Sequence, residues 1–412
     1  MEFSHEQQLA FDLYLQGKNV FLTGPGGTGK SKWIQRVYQH ALENELNIHV
    51  CAMTGCAAIL LNCNACTLHS WAGIGLGTDD RPIKEHAKKR WISANILIVD
   101  EVSMMALDLF EKLNQLGKHI RQSHLPFGGI QLLFCGDFYQ LPPVNADYCF
   151  ESSIWKSTFH TIHLITNFRQ NDETFQTILS EIRKGKISKS SYKTLMGRVG
   201  IEYPPDITQL VSTRDKAEHI NTFHYSTLEG EEYIYIKERK VDLPMSESEK
   251  HARKKFTDQQ LEYELSYLYN HTRCDPTISL KIGTIVMCIV NMHTSPICNG
   301  SQGIVVGFKN KYPIVRFLHG DVTITPHVWK SEKIPGIGIE QIPLIYAWAI
   351  TIHKSQGATM DRALIDAGHT IFACGQMYVA LSRVKSLEGL FLQDFRAEKI
   401  KINKKVVDFY EN

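Results

Sequence analysis

A glycine-rich segment near the N-terminus has the residue types and spacing of a phosphate-binding loop. Gly24-Pro-Gly-Gly-Thr-Gly-Lys30-Ser31 fits the pattern G-x-x-x-x-G-K-[ST]. Glycines let successive backbone N–H groups converge on phosphate oxygens, and the N-terminus of a following helix adds partial positive charge. Lys30 is expected to reach the β- and γ-phosphates of a nucleotide, and Ser31 to ligate Mg²⁺. A chance glycine-rich turn would have to match every fixed position, so the segment predicts a nucleoside triphosphate site.

Two carboxylates supply what this loop lacks. Asp100 and Glu101 follow the apolar run 96–99, which reads as a strand, and ligands of α/β proteins bind at the carboxyl edge of the sheet. Asp100 is expected to hold Mg²⁺ through water or Ser31, and Glu101 to polarise the attacking water. An acidic pair after a strand is often only a solvated loop. Combined with the phosphate loop upstream, it predicts nucleotide hydrolysis, without revealing what the hydrolysis drives.

The elements around these residues alternate between strand and helix. The segments 6–16 and 32–46 have the length and apolar spacing of helices. Short β-rich runs separated by helical stretches are typical of a parallel sheet covered on both faces, so the first 165 residues are predicted to form an α/β domain. The strands predicted in it are 19–23, 48–53, 96–99 and 131–135.

The alternation resumes after residue 164 and is then interrupted. Segments 172–184 and 214–228 are predicted helices, with a strand at 209–212 between them, whereas 229–274 is charged and shows no clean period. Short β-branched runs follow from 279 to 329, with hairpin signals at Asn299-Gly300, Lys309-Asn310 and His319-Gly320. This pattern predicts a small antiparallel barrel inserted into a second α/β domain, whose remaining strands are 346–352 and 390–392.

Composition excludes several classes of protein. Hydrophobic residues make up 43% and charged residues 21%, as in folded proteins. No apolar run is long enough for a membrane helix, and no secretory signal opens the chain, so a soluble intracellular protein is expected. The net charge of +2 gives no global attraction to polyanions. Ten cysteines are too sparse for a disulfide framework, and Cys63-x-x-Cys66 with His69 is an incomplete zinc pattern.

Further strings resemble the helicase motifs III, IV, V and VI of the Pif-type (petite integration frequency) DNA helicases, in superfamily one, group B. These strings lie at 128–144, 168–170, 348–359 and 375–383. Additional matches are Glu6-Gln7, Thr54-Gly55-x-Ala57-Ala58, 67–75, 101–105 and the final string 401–410. The motifs appear in order and the resemblance spans nearly the whole chain.

The resemblance implies a domain organisation. Two RecA-like motor domains with parallel sheets are expected, the first at 1–165 and the second at 166–228 and 345–412. The first would carry a small wedge insertion at about 76–92. The basic stretch 78–90 within it is open to a second interpretation, as a solvated helical face. Residues 229–344 would form an inserted domain, with a Src-homology-like β-barrel at about 279–330.

The resemblance also implies a nucleotide site for ATP and Mg²⁺. Arg169 and Arg383 would reach the γ-phosphate from the second domain, and domain closure on ATP would be the mechanical stroke. For an isolated arginine, a surface salt bridge would be the alternative. The implied catalytic residues are Lys30, Asp100, Glu101, Gln140, Arg169 and Arg383, with Ser31 and Asp100 as metal ligands. The nucleotide-binding residues would be Gln7, Gly24, Gly26, Gly27, Thr28, Gly29, Lys30, Ser31, Gln140, Arg169, Gly357 and Arg383.

Single-stranded DNA would be bound by phosphate hydrogen bonds and base stacking. The implied contacts are Thr54, Gly55, His69, Trp71, His353 and Lys354. His69 and Trp71 could equally be packed core side chains, and Trp348, on an apolar strand, is expected to be one.

The function implied is an ATP-dependent helicase that moves 5′ to 3′ on single-stranded DNA as a monomer. It would unwind duplex, forked and G-quadruplex DNA during replication, repair or recombination, in a nucleus or in a bacterial cytoplasm. Two alternatives stay open at this point. One is a nucleotide-regulated switch that binds single-stranded DNA, and the other is the motor subunit of a RecD-like recombination complex.

Overall fold

The computed structural model describes most of the chain, in two compact units. Unit 1 comprises residues 1–201 and 365–412, and unit 2 comprises residues 202–364. The residues described are 3–54, 57–58, 61, 63–74, 83, 85–170, 172–272, 274–290, 292, 297, 301–318, 320–331 and 334–411. Gly55, residues 76–82 and 84 of the predicted wedge, and the turn signals at Asn299-Gly300 and His319 lie outside them.

Side-chain caps mark where several of the helices begin. Ser4 caps the first helix, accepting a hydrogen bond from Gln7 N while Gln7 Oε1 accepts from Ser4 N. The α-helices are α1 His5–Leu15, α2 Lys30–Glu43, α3 Leu68–Ala72, α4 Glu85–Ser93, α5 Leu107–Arg121, α6 Trp155–Thr158, α7 Glu173–Arg183, α8 Lys189–Met196, α9 Arg214–Ser226, α10 Glu247–Arg253, α11 Asp258–His271, α12 Gln376–Leu381 and α13 Lys404–Glu411.

The strands alternate with these helices in unit 1 and follow one another in unit 2. They are β1 Val20–Thr23, β2 Ile48–Ala52, β3 Cys66–Thr67, β4 Ile96–Asp100, β5 Gln131–Gly136, β6 His160–His163, β7 Gln209–Val211, β8 Tyr233–Ile236, β9 Glu238–Lys240, β10 Thr277–Leu280, β11 Ile285–Cys288, β12 Gln302–Lys309, β13 Tyr312–Phe317, β14 Gly320–Thr323, β15 His327–Lys330, β16 Gly338–Gln341, β17 Leu344–Tyr346, β18 Ala349–Thr351, β19 Ala363–Ala367 and β20 Leu390–Phe395.

Unit 1 is built on a six-stranded sheet in the order β3-β2-β4-β5-β1-β6, with every pairing parallel. Its strands are apolar on both faces. Leu97 and Val99 of β4 lie in one hydrophobic cluster, and Ile96 and Ile98 lie in another on the opposite face. Burial of both faces is what a parallel sheet between helices requires, and it confirms the predicted α/β class.

Unit 2 contains a short parallel pair and an antiparallel insertion. β7 pairs parallel with β18, and the side chain of Asn221 on α9 donates to the backbone oxygen of Ala349 at 2.9 Å and accepts from its nitrogen at 2.8 Å. The insertion has a five-stranded sheet in the order β14-β13-β12-β11-β17. Asn310 and Lys311 both have positive φ, as a type I′ hairpin turn requires. The predicted antiparallel insertion is therefore confirmed.

The inserted segment contains regular structure that its sequence pattern does not indicate. The segment 229–274, which shows no clean period, contains α10, α11, β8 and β9. The predicted limits of the two motor domains stay a prediction, since compactness groups the chain differently and places residues 365–412 in unit 1. None of the helices in the described residues has the length and apolar character needed to cross a bilayer.

Candidate nucleotide site and nucleic-acid interface

Four segments of unit 1 that carry predicted nucleotide-site residues begin where a parallel strand ends. The phosphate loop follows β1. Asp100 is the last residue of β4, and Glu101 comes directly after it. Residues 137–140 follow β5, and residues 164–169 follow β6. These strands are consecutive neighbours in the sheet, in the order β4-β5-β1-β6. Because the carboxyl ends of parallel strands meet at one edge, the sheet brings all four segments together, where ligands of such sheets bind.

The phosphate loop is held by its own lysine. Lys30 Nζ donates to the backbone oxygens of Gly24 at 2.6 Å and Pro25 at 3.0 Å. Gly27 and Gly29 have φ values of 89° and 83°, which a residue with a Cβ rarely adopts. Burial lowers the pKa of Lys30, and the negative charges of Asp137, Glu101 and Asp100 oppose that shift. The carboxylates therefore lie within electrostatic range of the loop lysine.

Asp100 and Glu101 differ in environment. Asp100 is buried and accepts a hydrogen bond from Glu101 N at 2.9 Å, and burial together with the charge of Glu101 raises the pKa of Asp100. Glu101 has a φ of 56°, a left-handed conformation that costs energy for a non-glycine residue. The carboxylate of Asp100 and the exposed hydroxyl of Ser31 are the oxygen ligands that Mg²⁺ prefers. The donor set thus fits a magnesium ion.

Two arginines meet over the phosphate loop. A Cβ on Gly26 would lie 3.3 Å from Nη1 of Arg169 and 3.5 Å from Nη2 of Arg383. Arg169 Nη1 donates to the backbone oxygen of Ser382 at 3.1 Å, and Arg383 Nη2 donates to Ser382 Oγ at 2.8 Å. Burial and the charge of Arg169 lower the pKa of Arg383 to about 9. Two neighbouring cations beside a glycine-rich loop, one buried and one half-buried, favour a bound anion.

Gln140 lies in a short segment that is fixed by ionic and backbone contacts. Its backbone nitrogen donates to the oxygen of Asp137 at 2.9 Å. The carboxylate of Asp137 is fully buried and accepts two hydrogen bonds from Arg183, each 2.8 Å long. Bidentate pairing of this kind is geometrically specific. The segment is therefore well ordered next to the phosphate loop.

Gln7 and Phe168 flank the start of α2. Gln7 Nε2 donates to the backbone oxygen of Thr28 at 3.2 Å. A Cβ on Gly29 would lie 2.5 Å from that nitrogen and 3.6 Å from the ring of Phe168. Phe168 is 57% exposed and its backbone nitrogen donates to Gly27 at 2.8 Å. The structure places Gln7 beside the phosphate loop, and its contact with adenine stays a prediction; Phe168 lies next to it and was not singled out by the sequence reasoning. Its signal was its place beside Arg169 in a matched motif.

Tyr378 is a second residue that the sequence reasoning missed. Its hydroxyl accepts a hydrogen bond from Gly26 N at 3.0 Å, and its side chain is buried. It belongs to the matched string 375–383, in which only Arg383 was singled out. The structure places Gly357 in unit 2, with a left-handed φ of 83°.

The sequence matches a known family model. Residues 2–193 match the model described as PIF1-like helicase. A crystal structure of Pif1 helicase from Candida albicans is 33% identical, with a TM-score of 0.77, and the match covers 100% of this chain and 99% of that chain. The chain belongs to the PIF1-like helicase family. The resemblance drawn from the motifs is confirmed, and so is the fold class.

Further members show how much of the family's sequence and structure is shared. The ATP-dependent DNA helicase PIF1 of Danio rerio is 35% identical, over 100% of this chain and 64% of that relative. A crystal structure of Bacteroides sp Pif1 in complex with ADP-AlF4 is 28% identical, with a TM-score of 0.80, covering 100% of this chain and 97% of that chain. The chain spans about three fifths of the length of the curated PIF1 relatives that it matches.

In unit 1 of this PIF1-like chain, the expected DNA contacts lie near the ends of β2 and β3. Thr54 is half-buried and its Oγ1 accepts from Ala57 N at 3.3 Å, whereas Gly55 lies outside the described residues. His69 is half-buried on α3. Trp71 is buried, with its ring centroid 4.5 Å from that of Trp91. The structure therefore places Trp71 in the core, and its contact with DNA stays a prediction.

In unit 2, His353 and Lys354 are both exposed in the turn after β18. A cavity of about 290 Å³ adjoins Lys354, and its polar lining also includes Arg214, Glu218 and Asp275. Trp348 is buried and stacks on His224 with ring centroids 5.9 Å apart, as expected of a core side chain. Contact of this turn with DNA also stays a prediction.

The structure describes all three residues of the incomplete zinc pattern. Cys63 is buried, and Cys66 and His69 are half-buried. Within the part of the chain that the structure describes, no three or more His, Cys, Asp or Glu side chains gather so as to hold a metal ion.

Proposed function

We propose that this protein is an ATP-dependent DNA helicase that moves 5′ to 3′ along single-stranded DNA and separates duplex and forked DNA. One observation carries the proposal. Both arginines lie beside the phosphate loop that carries Lys30, Glu101 lies within electrostatic range of that lysine, and Gln140 follows the neighbouring strand β5, all in a single compact unit. A single chain therefore holds a complete set of groups for hydrolysis. DNA is inferred as the substrate because the relatives of this chain are DNA helicases.

Hydrolysis would proceed by in-line attack of water on the γ-phosphorus. The new bond forms from the water oxygen, the bond to the β–γ bridging oxygen breaks, and Glu101 accepts the proton. Lys30 would exchange the oxygens of Gly24 and Pro25 for phosphate oxygens. Mg²⁺, held by Ser31 and Asp100, would neutralise charge on the phosphates. Phosphoryl transfer depends mainly on positioning and charge neutralisation, so these groups suffice for catalysis.

Arg169 and Arg383 would stabilise the charge that develops on the γ-phosphoryl group. Arginines in this role raise the rate of such reactions by about 10³ to 10⁵. Both guanidinium groups lie within 3.5 Å of the position that a Cβ on Gly26 would take, and a related Pif1 binds ADP-AlF4, a mimic of the transferring phosphoryl group. Gln140 would report the presence of the γ-phosphate to the rest of the motor.

The base of the nucleotide would lie between Phe168 and Gln7. Phe168 offers an exposed ring next to Gly29, and an aromatic face stacks on any purine. Gln7 offers an amide that can hydrogen-bond the edge of adenine. This pairing would give a role to an aromatic ring that is 57% exposed beside the phosphate loop.

The DNA strand would contact Thr54, Gly55 and His69 in unit 1, and His353 and Lys354 in unit 2. The exposure of His353 and Lys354 and the polar cavity beside Lys354 support the second group. Trp71 would act indirectly, by supporting the helix α3 that carries His69. The 5′ to 3′ direction of travel is the direction that the family resemblance implies.

Strand displacement with forked DNA tests the proposal. We expect ATPase activity that single-stranded DNA stimulates, and unwinding of substrates that carry a 5′ tail. Unwinding from 3′ tails alone would contradict the assigned direction. Stimulated hydrolysis without any unwinding would favour the nucleotide-regulated switch instead.

Two variants test the nucleotide site. Lys30→Ala should abolish hydrolysis while DNA binding, measured by fluorescence anisotropy, stays within threefold of the wild type. Arg383→Ala should bind ATP but lose at least a hundredfold in turnover. Lys32→Ala is the matched control because Lys32 is exposed on the same helix as Lys30. An active Lys30→Ala variant would refute the phosphate-site assignment.

A further inference from the structure

Helix α13 packs its aromatic residues against the rest of unit 1, close to the phosphate loop. Val406 is buried, and the ring of Phe409 stacks on Phe150 with centroids 4.4 Å apart. Tyr410 stacks on Tyr139 at 4.9 Å with an interplanar angle of 13°. The helix is therefore anchored by a hydrophobic contact that involves the segment 137–140. The string 401–410 matched the family, but no role followed from that match.

The hydroxyl of Tyr410 joins two parts of the nucleotide site that are distant in sequence. It lies 2.7 Å from Thr23 Oγ1 and accepts a hydrogen bond from Phe138 N at 3.1 Å. Thr23 is the last residue of β1, directly before the phosphate loop, and Phe138 lies two residues before Gln140. Thr23 and Phe138 are both fully buried or nearly so. A hydroxyl that bonds two buried partners in this way constrains the distance between them.

Arg183 supports the same arrangement from another direction. Its guanidinium carbon lies 4.5 Å from the ring centroid of Tyr139 and 5.8 Å from that of Tyr410. The same guanidinium holds Asp137 through two hydrogen bonds, and Asp137 Oδ1 accepts from Tyr139 N at 3.2 Å. The segment that carries Gln140 is thus held by Arg183 on one side and by Tyr410 on the other.

We propose that Tyr410 is a positioning residue for ATP hydrolysis, which sets the spacing between the phosphate loop and Gln140. The proposal rests on the proposed function, since it concerns the same site. ATP binding depends on the loop itself, whereas the hydrolytic step needs Gln140 at the right distance from the γ-phosphate. Loss of the hydroxyl should therefore lower kcat and leave the KM for ATP nearly unchanged.

Tyr410→Phe in the full chain is the direct test, because it removes one oxygen and keeps the ring. We expect kcat for DNA-stimulated hydrolysis to fall five- to twentyfold, with the KM for ATP within twofold. Thr23→Val should reproduce this effect, whereas Thr23→Ser, which keeps a hydroxyl, should not. Phe409→Leu is the matched control, since it weakens packing of the same helix without removing a hydrogen bond. It should lower the melting temperature and leave kcat within twofold.

A double-mutant cycle separates positioning from a merely structural role. If Tyr410 acts through Gln140, Tyr410→Phe should have no further effect on kcat in the Gln140→Ala background. Independent, multiplicative losses would overturn the proposal, and so would an equal loss of kcat in Phe409→Leu. A wild-type chain without ATPase activity would refute the proposed function. Wild-type activity that falls with Gln140→Ala and is untouched by Tyr410→Phe would refute only the role of Tyr410.

Discussion

At Gly26, the absence of a Cβ leaves room for guanidinium groups beside the phosphate loop. A methyl group there would lie 3.3 Å from Nη1 of Arg169, tighter than most Cβ contacts, and 3.5 Å from Nη2 of Arg383, an ordinary van der Waals distance. The glycines of such a loop are usually explained by backbone conformation. Gly26 adds a second reason, which is room for positive charge above the loop.

Gly26→Ala should therefore reduce turnover more than ATP binding. We expect kcat to fall about tenfold to a hundredfold, below the full contribution of about 10³ to 10⁵ that arginines can make, because flexible side chains can shift rather than leave. Steady-state kinetics at varied ATP concentration measures both kcat and the KM for ATP. Gly197→Ala is a suitable control, since a Cβ there meets only the backbone oxygens of its own helix. An unchanged kcat in Gly26→Ala would show that the arginines do not act from these positions.

At the scale of elements, local signals mark where segments begin, and some of them are easily overlooked. The region 229–274 lacks a clean apolar period, yet α10 and α11 both start with capping boxes, Ser246 with Glu249 and Thr257 with Gln260. The pattern S/T-x-x-E/Q was available in the sequence. Periodicity failed there because these helices are largely exposed and bury few side chains.

The strand β2 gives an element-scale prediction about acid stability. His49 is half-buried beside Trp71, and among the described residues its Nε2 has no hydrogen-bond partner. Burial and the charge of Arg90 lower the pKa of His49 to about 4 from an ordinary 6.5. The folded state therefore holds this ring neutral where the unfolded state takes up a proton. The resulting stability is complete above pH 6.5 and is lost as the pH falls towards 4.

His49→Phe should remove this dependence. Between pH 7 and pH 5, the free energy of unfolding of the wild type should fall by about 1–2 kcal/mol more than that of the variant. Urea unfolding at several pH values measures the difference. His160→Phe, on the exposed edge strand β6, should keep the wild-type dependence. Parallel pH profiles for His49→Phe and the wild type would contradict the expectation.

At the scale of the whole molecule, the nucleotide-site residues of unit 1 belong to one sheet edge. Any ligand that binds the folded chain and not the unfolded chain stabilises it by mass action. A nucleotide bound at this edge would contact segments that lie far apart in sequence, from the phosphate loop to Arg383. Its effect should therefore be visible as protection of several segments at once.

A non-hydrolysable ATP analogue with Mg²⁺, at a hundredfold excess over its Kd, should stabilise the chain by about 2.7 kcal/mol. Hydrogen exchange should slow at residues 24–31, 100–101 and 137–140. Removal of Mg²⁺ with a chelator should reverse part of the effect, and Lys30→Ala should abolish most of it. Protection confined to the insertion of unit 2 would place the nucleotide elsewhere.

The sequence by itself determined the local chemistry. The phosphate loop, the carboxylates after β4 and the family motifs are contiguous patterns, and alternating strands and helices identify a parallel sheet. Only the tertiary structure decided which distant residues meet. The hydroxyl of Tyr410 contacts Thr23, 387 residues earlier, and Phe168, Tyr378 and two arginines surround one loop. Burial of Trp71 was likewise decided by packing. Contiguous patterns report how a segment folds, whereas contacts between segments depend on where the sheet and the helices place them.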